Sequence, residues 1–213
     1  MVIPWTLGEL AHYLVAAQGL RVDLTVIRAA GWRRDRLWNL QAYPWVPPSP
    51  NIPTLDSTYA YAATGILQAT TVSEGRGTCK PFEYIGAPFL DGHDLAERLT
   101  AAGLPGTGFR ELFFKPGFNK YAGQACGGVH LQVTDRRRFD PLRVQLHLLK
   151  ALAQQAPGTF RLEAGFGLWL DGGEWSVGRL AGLDIASTLA AWRAACAALA
   201  AALRPHLLYR PPI

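Results

Sequence analysis

Apolar residues recur at helical spacing directly after Thr6, where Leu7, Leu10 and Leu14 share one face and Thr6 with Glu9 has the form of a capping box. Gly19 ends the run, so the chain opens on a helix. VDLTVI (22–27) then alternates Val22, Leu24 and Val26 with polar neighbours, the pattern of a strand. Residues 31–51 hold three tryptophans and four prolines without sustained periodicity and read as an aromatic loop or linker. Residues 58–72 are weakly strand-like. Asp91 is placed to cap a helix carrying Leu95 and Leu99 and ending at Gly103. FRELFFKP reads as a strand, and after Gly127 and Gly128 so does VHLQV, with Val129, Leu131 and Val133 toward a core and His130 and Gln132 on the other face. Asp140 with Pro141 starts a helix with Leu142, Leu146, Leu149 and Leu152 on one side. A last helix from about Ser187 repeats Leu189, Trp192, Cys196, Leu199 and Leu203 as an apolar seam. Helix followed by strand predicts a layered α/β beginning, and the second half predicts a mixed α+β domain.

Composition narrows the function classes. At 213 residues, 49% hydrophobic and 17% charged, the sequence is that of a folded chain with a real core. The alanine-rich tail comes nearest to a membrane span, but Arg193 interrupts it and it reads as too short, so no membrane segment is expected. MVIPWTLGELAHYL has neither a basic start nor a small-residue cleavage site, so no signal peptide is expected there. Lys and Arg exceed Asp and Glu by 21 to 16, yet the densest run, Arg136–Arg138, is bracketed by Asp135 and Asp140, and no stripe or motif points to nucleic acid. Cys79, Cys126 and Cys196 have neither disulfide nor metal-site spacing, and the histidines at 12, 93, 130, 147 and 206 never approach ligand spacing, so neither metal nor cofactor is expected.

The candidate chemistry gathers in SEGRGTCKPFE (73–83). Its glycines let backbone bend toward a ligand, Arg76 offers a planar fork of donors, and Glu74 and Glu83 supply the carboxylate pair that glycoside hydrolysis uses. The same residues also admit a plainer reading, in which Glu74 and Arg76 pair with each other or cap neighbouring elements. Trp32, Trp38, Tyr43 and Trp45 offer rings on which a sugar could stack. Cys126 and His130 admit a thiol nucleophile and base, but no oxyanion-hole motif accompanies them, and a buried cysteine is the expectation.

PSPNIPTLDS (48–57), SEGRGTCKPFE (73–83), IGAPFLDG (85–92), GLPGTGF (103–109), KPGFNKYAGQACGGVHLQVTD (115–135) and RLAG (179–182), taken in order, resemble the NamZ family of exo-acting β-N-acetylmuramidases of bacterial cell-wall recycling. The resemblance implies a Rossmann-like amino-terminal domain, of which residues 1–83 are the closing part, followed by a smaller α+β carboxy-terminal domain over residues 84–213. It implies a glycoside hydrolase that releases terminal N-acetylmuramic acid from the non-reducing end of peptidoglycan fragments, here as a truncated or split form. The family's first half, with a glutamate held to be catalytic, has no counterpart in this sequence. The alternative is a non-catalytic module that binds glycan or docks a partner, either a complementary amino-terminal chain or a second copy. A periplasmic or extracytoplasmic location is the family's.

Carried residue by residue, Asn51, Ser73, Glu74, Arg76, Thr78 and Glu83 match the family's cleft-side motifs, and Lys120 and Tyr121 its KY pair. Glu74 is then the candidate catalytic carboxylate, with Asn51, Arg76, Thr78, Glu83, Lys120, Tyr121 and His130 as candidate substrate-binding residues. Arg76 would orient hydroxyl or lactyl groups, Tyr121 would support the ring, and Lys120 would face the lactyl carboxylate. The chain departs from the family pattern at Gln68, where a carboxylate is common, and at Thr71, where an asparagine is. It has VIPWT where RHGMT is common, and it exchanges a Gln–His order for His130 and Gln132.

Overall fold

A computed structural model describes residues 5–34, 36–38 and 42–209. They form two compact units: residues 45–188, and the residues before 45 together with those after 188.

In the smaller unit, helix α1 (Leu7–Ala17) starts at Thr6 with both halves of the capping box present. Glu9 is fully buried and ties the chain together: Oε2 accepts the Thr6 N–H at 2.7 Å, and Oε1 accepts Arg34 at 2.5 Å and the Leu208 and Tyr209 N–H groups at 2.9 and 3.2 Å. Burial pushes this carboxyl up, but those donors outweigh it and hold it below its ordinary range. Residues 22–27 are not a strand, and Val22 and Ile27 are 57% and 92% exposed. The alternating pattern is present, but among the described residues of this unit no second strand offers its ladder, and an unpaired strand is not stable in water.

The larger unit carries the sheet. The stretch 58–72 is helical rather than extended: α2 (Leu55–Thr64) is capped by Thr54, whose hydroxyl accepts the Ser57 N–H, and a 3-10 turn (Gly65–Ala69) continues it. Ala60 and Ala63, both at 0% exposure, let α2 lie close to the core, and that packing overrides the weak strand propensity of its tyrosines and threonines. Strands β1 (Tyr84–Ala87), β2 (Thr107–Phe114) and β3 (Cys126–Val133) form an antiparallel sheet in the order β1-β3-β2. Helix α3 (Gly92–Ala101), capped by Asp91, and α4 (Pro141–Gln155), capped by Asp140, start where the sequence predicts. Leu95, Leu99, Leu131, Leu148, Leu149 and Leu152 meet in one core, each contributing roughly 2 kcal/mol by burial.

The glycine pair of β3 has a steric cause. A Cβ on Gly128 would lie 1.9 Å from the Ile85 carbonyl oxygen, and one on Gly127 would lie 2.5 Å from that of Leu90. The chain from β1 to α3 therefore crosses β3 at backbone contact. Being the central strand, β3 buries His130 on the face the alternation assigns to polar residues, while Gln132 beyond it is exposed.

Helix α5 (Val177–Ala181) precedes α6 (Ile185–Leu203). The expected seam of α6 buries only Leu189 and Leu203, and Cys196 and Leu199 are exposed. The expectation that no segment is long enough for a membrane is corrected here: Ile185–His206 is a helical run of 22 residues containing an 18-residue stretch of mean hydropathy 1.4, long and apolar enough by length and composition alone.

Candidate functional site

The loop 73–83 connects the 3-10 turn to β1. Ser73 enters it by pairing with Gly86 (N–H to oxygen 2.9 and 3.1 Å in the two directions). Gly75 and Gly77 then turn the backbone at φ 81° and 82°, a conformation that glycine adopts without strain. Thr78 folds the loop on itself, its hydroxyl donating to the Gly75 carbonyl at 2.6 Å, and the Phe82 N–H closes it onto Glu74 O at 2.6 Å. Against this loop lies a second one, in which Asn119 and Tyr121 also have positive φ (69° and 57°). Gly117 N–H donates to Gly77 O at 2.8 Å, joining the two.

Glu74 sits where the loops meet and is 1% exposed. Its Oε1 accepts Asn119 Nδ2 at 3.4 Å and pairs with Arg76 Nε at 3.5 Å, and its Oε2 accepts Lys120 Nζ at 3.3 Å. Lys120 Nζ also donates to the carbonyls of Leu67, Gln68 and Val72 at 2.8, 3.2 and 3.1 Å. The ammonium is thus caged by three carbonyls and a carboxylate, and its donors are turned inward rather than toward a ligand carboxylate. Tyr121 donates to Thr71 O at 2.6 Å. Burial foremost pushes the Tyr121 phenol up, so it stays a donor at neutral pH. Arg76 is the charged member of the group most open to solvent, its side chain 30% exposed against 20% for Lys120 and 1% for Glu74, with Nη2 hydrogen-bonded to Gln68 Oε1 and the guanidinium 5.5 Å from the Phe82 ring centre. Of the two readings the sequence leaves open for Glu74 and Arg76, the mutual pairing is present. The group then presents one fork of donors, held in place from below by a buried carboxylate and an amide.

A second cluster surrounds Glu83, which is 4% exposed. Its Oε1 accepts Ser57 Oγ at 3.1 Å, and its Oε2 accepts Lys80 Nζ at 2.9 Å and lies 3.5 Å from His130 Nε2. His130 stacks edge-on against Tyr84, its register partner, at 5.0 Å. Burial pushes the Glu83 carboxyl up, but hydrogen bonds from His130, Lys80 and Ser57 prevail and hold it below its ordinary value of 4.5. A carboxyl lowered in the folded state contributes stability that is complete above its unfolded pKa and is lost as pH falls through the folded one. Glu83→Gln is therefore expected to flatten the acid side of a plot of urea midpoint against pH below about 4.5, with a destabilisation at neutral pH that disappears in acid. A parallel downward shift at every pH would show that Glu83 does not titrate with folding.

The remaining candidates fall elsewhere. Asn51 lies in a turn with its N–H 3.3 Å from Ser49 Oγ, and among the described residues no hydrogen bond joins it to either carboxylate cluster. Trp32 packs on Tyr209 and Trp38 on Tyr43, pairs within the smaller unit. Cys126 is buried and its thiol is pushed up to about 11 by that burial, the reverse of an activated nucleophile. Among the described residues no group of three His, Cys, Asp or Glu converges on a metal position. A depression of about 250 Å³ at the end of α3, lined by Leu99, Leu104, Thr107 and Phe109 among others, includes none of the candidates. Sequence reasoning missed Asn119, Lys80 and Ser57. Asn119 had a signal, since asparagine is the side chain that best tolerates positive φ, and Lys80 stands three residues before Glu83 in a turn.

Comparison with known proteins adds the lineage. The family model described as exo-β-N-acetylmuramidase NamZ, C-terminal, matches residues 59–209, and its N-terminal counterpart matches residues 1–56. The chain is 43% identical over 155 residues to the peptidoglycan β-N-acetylmuramidase NamZ of Bacillus subtilis strain 168, covering 73% of this chain and 37% of that protein. A crystal structure of a DUF1343 family protein from Bacteroides fragilis superposes with TM-score 0.64 at 29% identity, over 70% of this chain and 40% of that one. Another from the same organism superposes with TM-score 0.70 at 23% identity, over 98% and 56%, a likeness of fold. The chain therefore spans between about a third and somewhat over half of these relatives' lengths. With both family models matched in order along its length, the chain belongs to the exo-β-N-acetylmuramidase NamZ family.

Proposed function

We propose that this chain supplies the sugar-recognising part of a peptidoglycan exo-β-N-acetylmuramidase, a glycoside hydrolase that releases terminal N-acetylmuramic acid from the non-reducing end of glycan fragments. The observation that carries the reading is the Arg76 fork, fixed between Glu74 and Gln68 with its side chain 30% open to solvent. Muramic acid differs from glucosamine by a lactyl carboxylate, and a planar, permanently charged fork is the side chain that selects a carboxylate by geometry. The 43% identity to a protein named for this activity supports the substrate class. Glu74 and Glu83, at 1% and 4% exposure, are both occupied by donors of the protein itself, so they position Arg76 and the loop. The acid and base of the reaction then come from outside residues 73–83, and the family's first half is where the resemblance puts its catalytic glutamate. The match of residues 1–56 to the family's N-terminal model supports reading them as the close of a Rossmann-like domain. Since peptidoglycan lies outside the cytoplasmic membrane, so does the proposed site of action.

Calorimetric titration of the chain with N-acetylmuramic acid and N-acetylglucosamine tests the reading. Arg76→Met is expected to weaken muramic-acid binding by roughly 10- to 100-fold, as for loss of a charge-assisted pair, and to leave glucosamine unchanged. Equal affinity of the wild type for both sugars would overturn it. Assay on a chromogenic β-N-acetylmuramide separates enzyme from binding module: binding without turnover is the outcome for a module. Turnover abolished by Glu74→Gln with the fold intact would return Glu74 to the reacting atoms.

A further inference from the structure

Beside the Arg76 group stands an exposed aromatic tip that the reading above leaves unused. Residues Phe166–Trp169 form a 3-10 turn that packs against Gly65–Ala69, the turn bearing Gln68. The two are stitched by Glu163 N–H to Ala69 O at 2.9 Å, Thr71 N–H to Arg161 O at 3.0 Å and Arg161 N–H to Thr71 Oγ1 at 3.0 Å. Tyr121 donates to the carbonyl of the same Thr71. Tip and fork therefore share one ledge.

On that ledge the apolar residues divide. Phe166 is 3% exposed and anchors the turn in the core, whereas Leu168 is 83% and Trp169 49% exposed. The loop beneath is braced. Gly167 lies in backbone contact with Gly173, where a Cβ would come 2.1 Å from the carbonyl oxygen. Asp171 Oδ1 accepts Trp175 Nε1 at 2.8 Å and Gly173 N–H at 2.9 Å, and the Arg179 guanidinium covers the Trp175 ring at 3.8 Å. A tryptophan kept half in water by so fixed a support is preorganised to receive a flat apolar face, and a pyranose ring presents one in its axial C–H groups.

We propose that Trp169, flanked by Leu168, is the stacking platform for the sugar next to the muramic acid held by Arg76. The proposal rests on the glycan reading and extends it from one ring to two. The choice of a sugar as occupant rests on the packing of the tip's turn against the turn bearing Gln68, the residue that holds the Arg76 fork.

The test is calorimetric titration of the whole chain with N-acetylmuramic acid and with the β-1,4-linked N-acetylmuramyl–N-acetylglucosamine disaccharide. Trp169→Ala is expected to weaken the disaccharide by about tenfold and leave the monosaccharide unchanged, and Trp169→Phe to recover most of the loss. Leu168→Asp, at a position too exposed to affect folding, is expected to weaken the disaccharide about threefold. Disaccharide affinity unchanged in Trp169→Ala and in Leu168→Asp, with Arg76→Met still losing muramic acid, overturns the platform alone. Absence of binding by the wild type overturns both the platform and the reading on which it rests.

Discussion

Lys120→Met is expected to destabilise the larger unit by about 3 kcal/mol or more, the cost of leaving a buried charge without its partner. The wild-type ammonium serves four acceptors, the carbonyls of Leu67, Gln68 and Val72 and the carboxylate of Glu74, all between 2.8 and 3.3 Å. Methionine has nearly the same length and no donor. Among the described residues it would leave a carboxylate at 1% exposure with only Asn119 at 3.4 Å and Arg76 at 3.5 Å, and three carbonyls facing a methyl group. The Lys120 side chain is 20% exposed, so water can compensate in part, and the low end of the usual 3–5 kcal/mol range for breaking a buried pair applies. Urea denaturation measures the change, and Lys115→Met, at an exposed lysine of the same segment, is the control expected within about 0.5 kcal/mol of wild type. A loss below 1 kcal/mol for Lys120→Met would mean that the cage is not formed in solution. Glu74→Leu combined with Lys120→Met is expected to recover part of the loss, because removing both charges is less costly than removing one.

Legibility in the sequence followed the range of the interaction. The starts at Thr6, Asp91 and Asp140 were readable because a cap and the N–H groups it satisfies lie within three residues of each other. The second half of β3 is readable from the alternation of Val129, Leu131 and Val133, whereas its first residues, Cys126 to Gly128, carry no such pattern. Residues 22–27 carry a strand's pattern but lack a strand to pair with, and α2 was hidden because Ala60 and Ala63 are chosen by what they pack on. The site divides in the same way. Loop 73–83 announced itself by its polarity and glycines, and the pairing of Glu74 with Arg76 is local enough to have been one of two open readings. That Lys120 faces inward was not readable, since its acceptors at positions 67, 68, 72 and 74 are about fifty residues away, and two lysines with the same neighbours in sequence can point to water or to a carbonyl cage.

The cage also depends on a contact between backbones, which Gly77→Ala is expected to break. At φ 82° an L side chain carries strain of roughly 1 kcal/mol. Its Cβ would in addition stand 2.4 Å from Phe118 O and 2.7 Å from Phe118 N, atoms of main chain that no rotamer can move aside. Overpacking of that kind costs about 1–3 kcal/mol more. The two together put the expected loss at about 2–4 kcal/mol, and the relief open to the protein is to push residues 117–121 away from loop 73–83. That displacement would withdraw Asn119 and Lys120 from Glu74 and so loosen Arg76. Gly123 separates the two causes: it too has positive φ, at 75°, but nothing lies within 4 Å of its Cβ position, so Gly123→Ala should show the strain alone, about 1 kcal/mol. Denaturation of both variants measures the difference, and muramic-acid titration of the folded fraction should show weakened binding in Gly77→Ala and wild-type affinity in Gly123→Ala. Equal losses in the two would mean that the loops are not in backbone contact, and the rigid seat assigned to Arg76 would go with it.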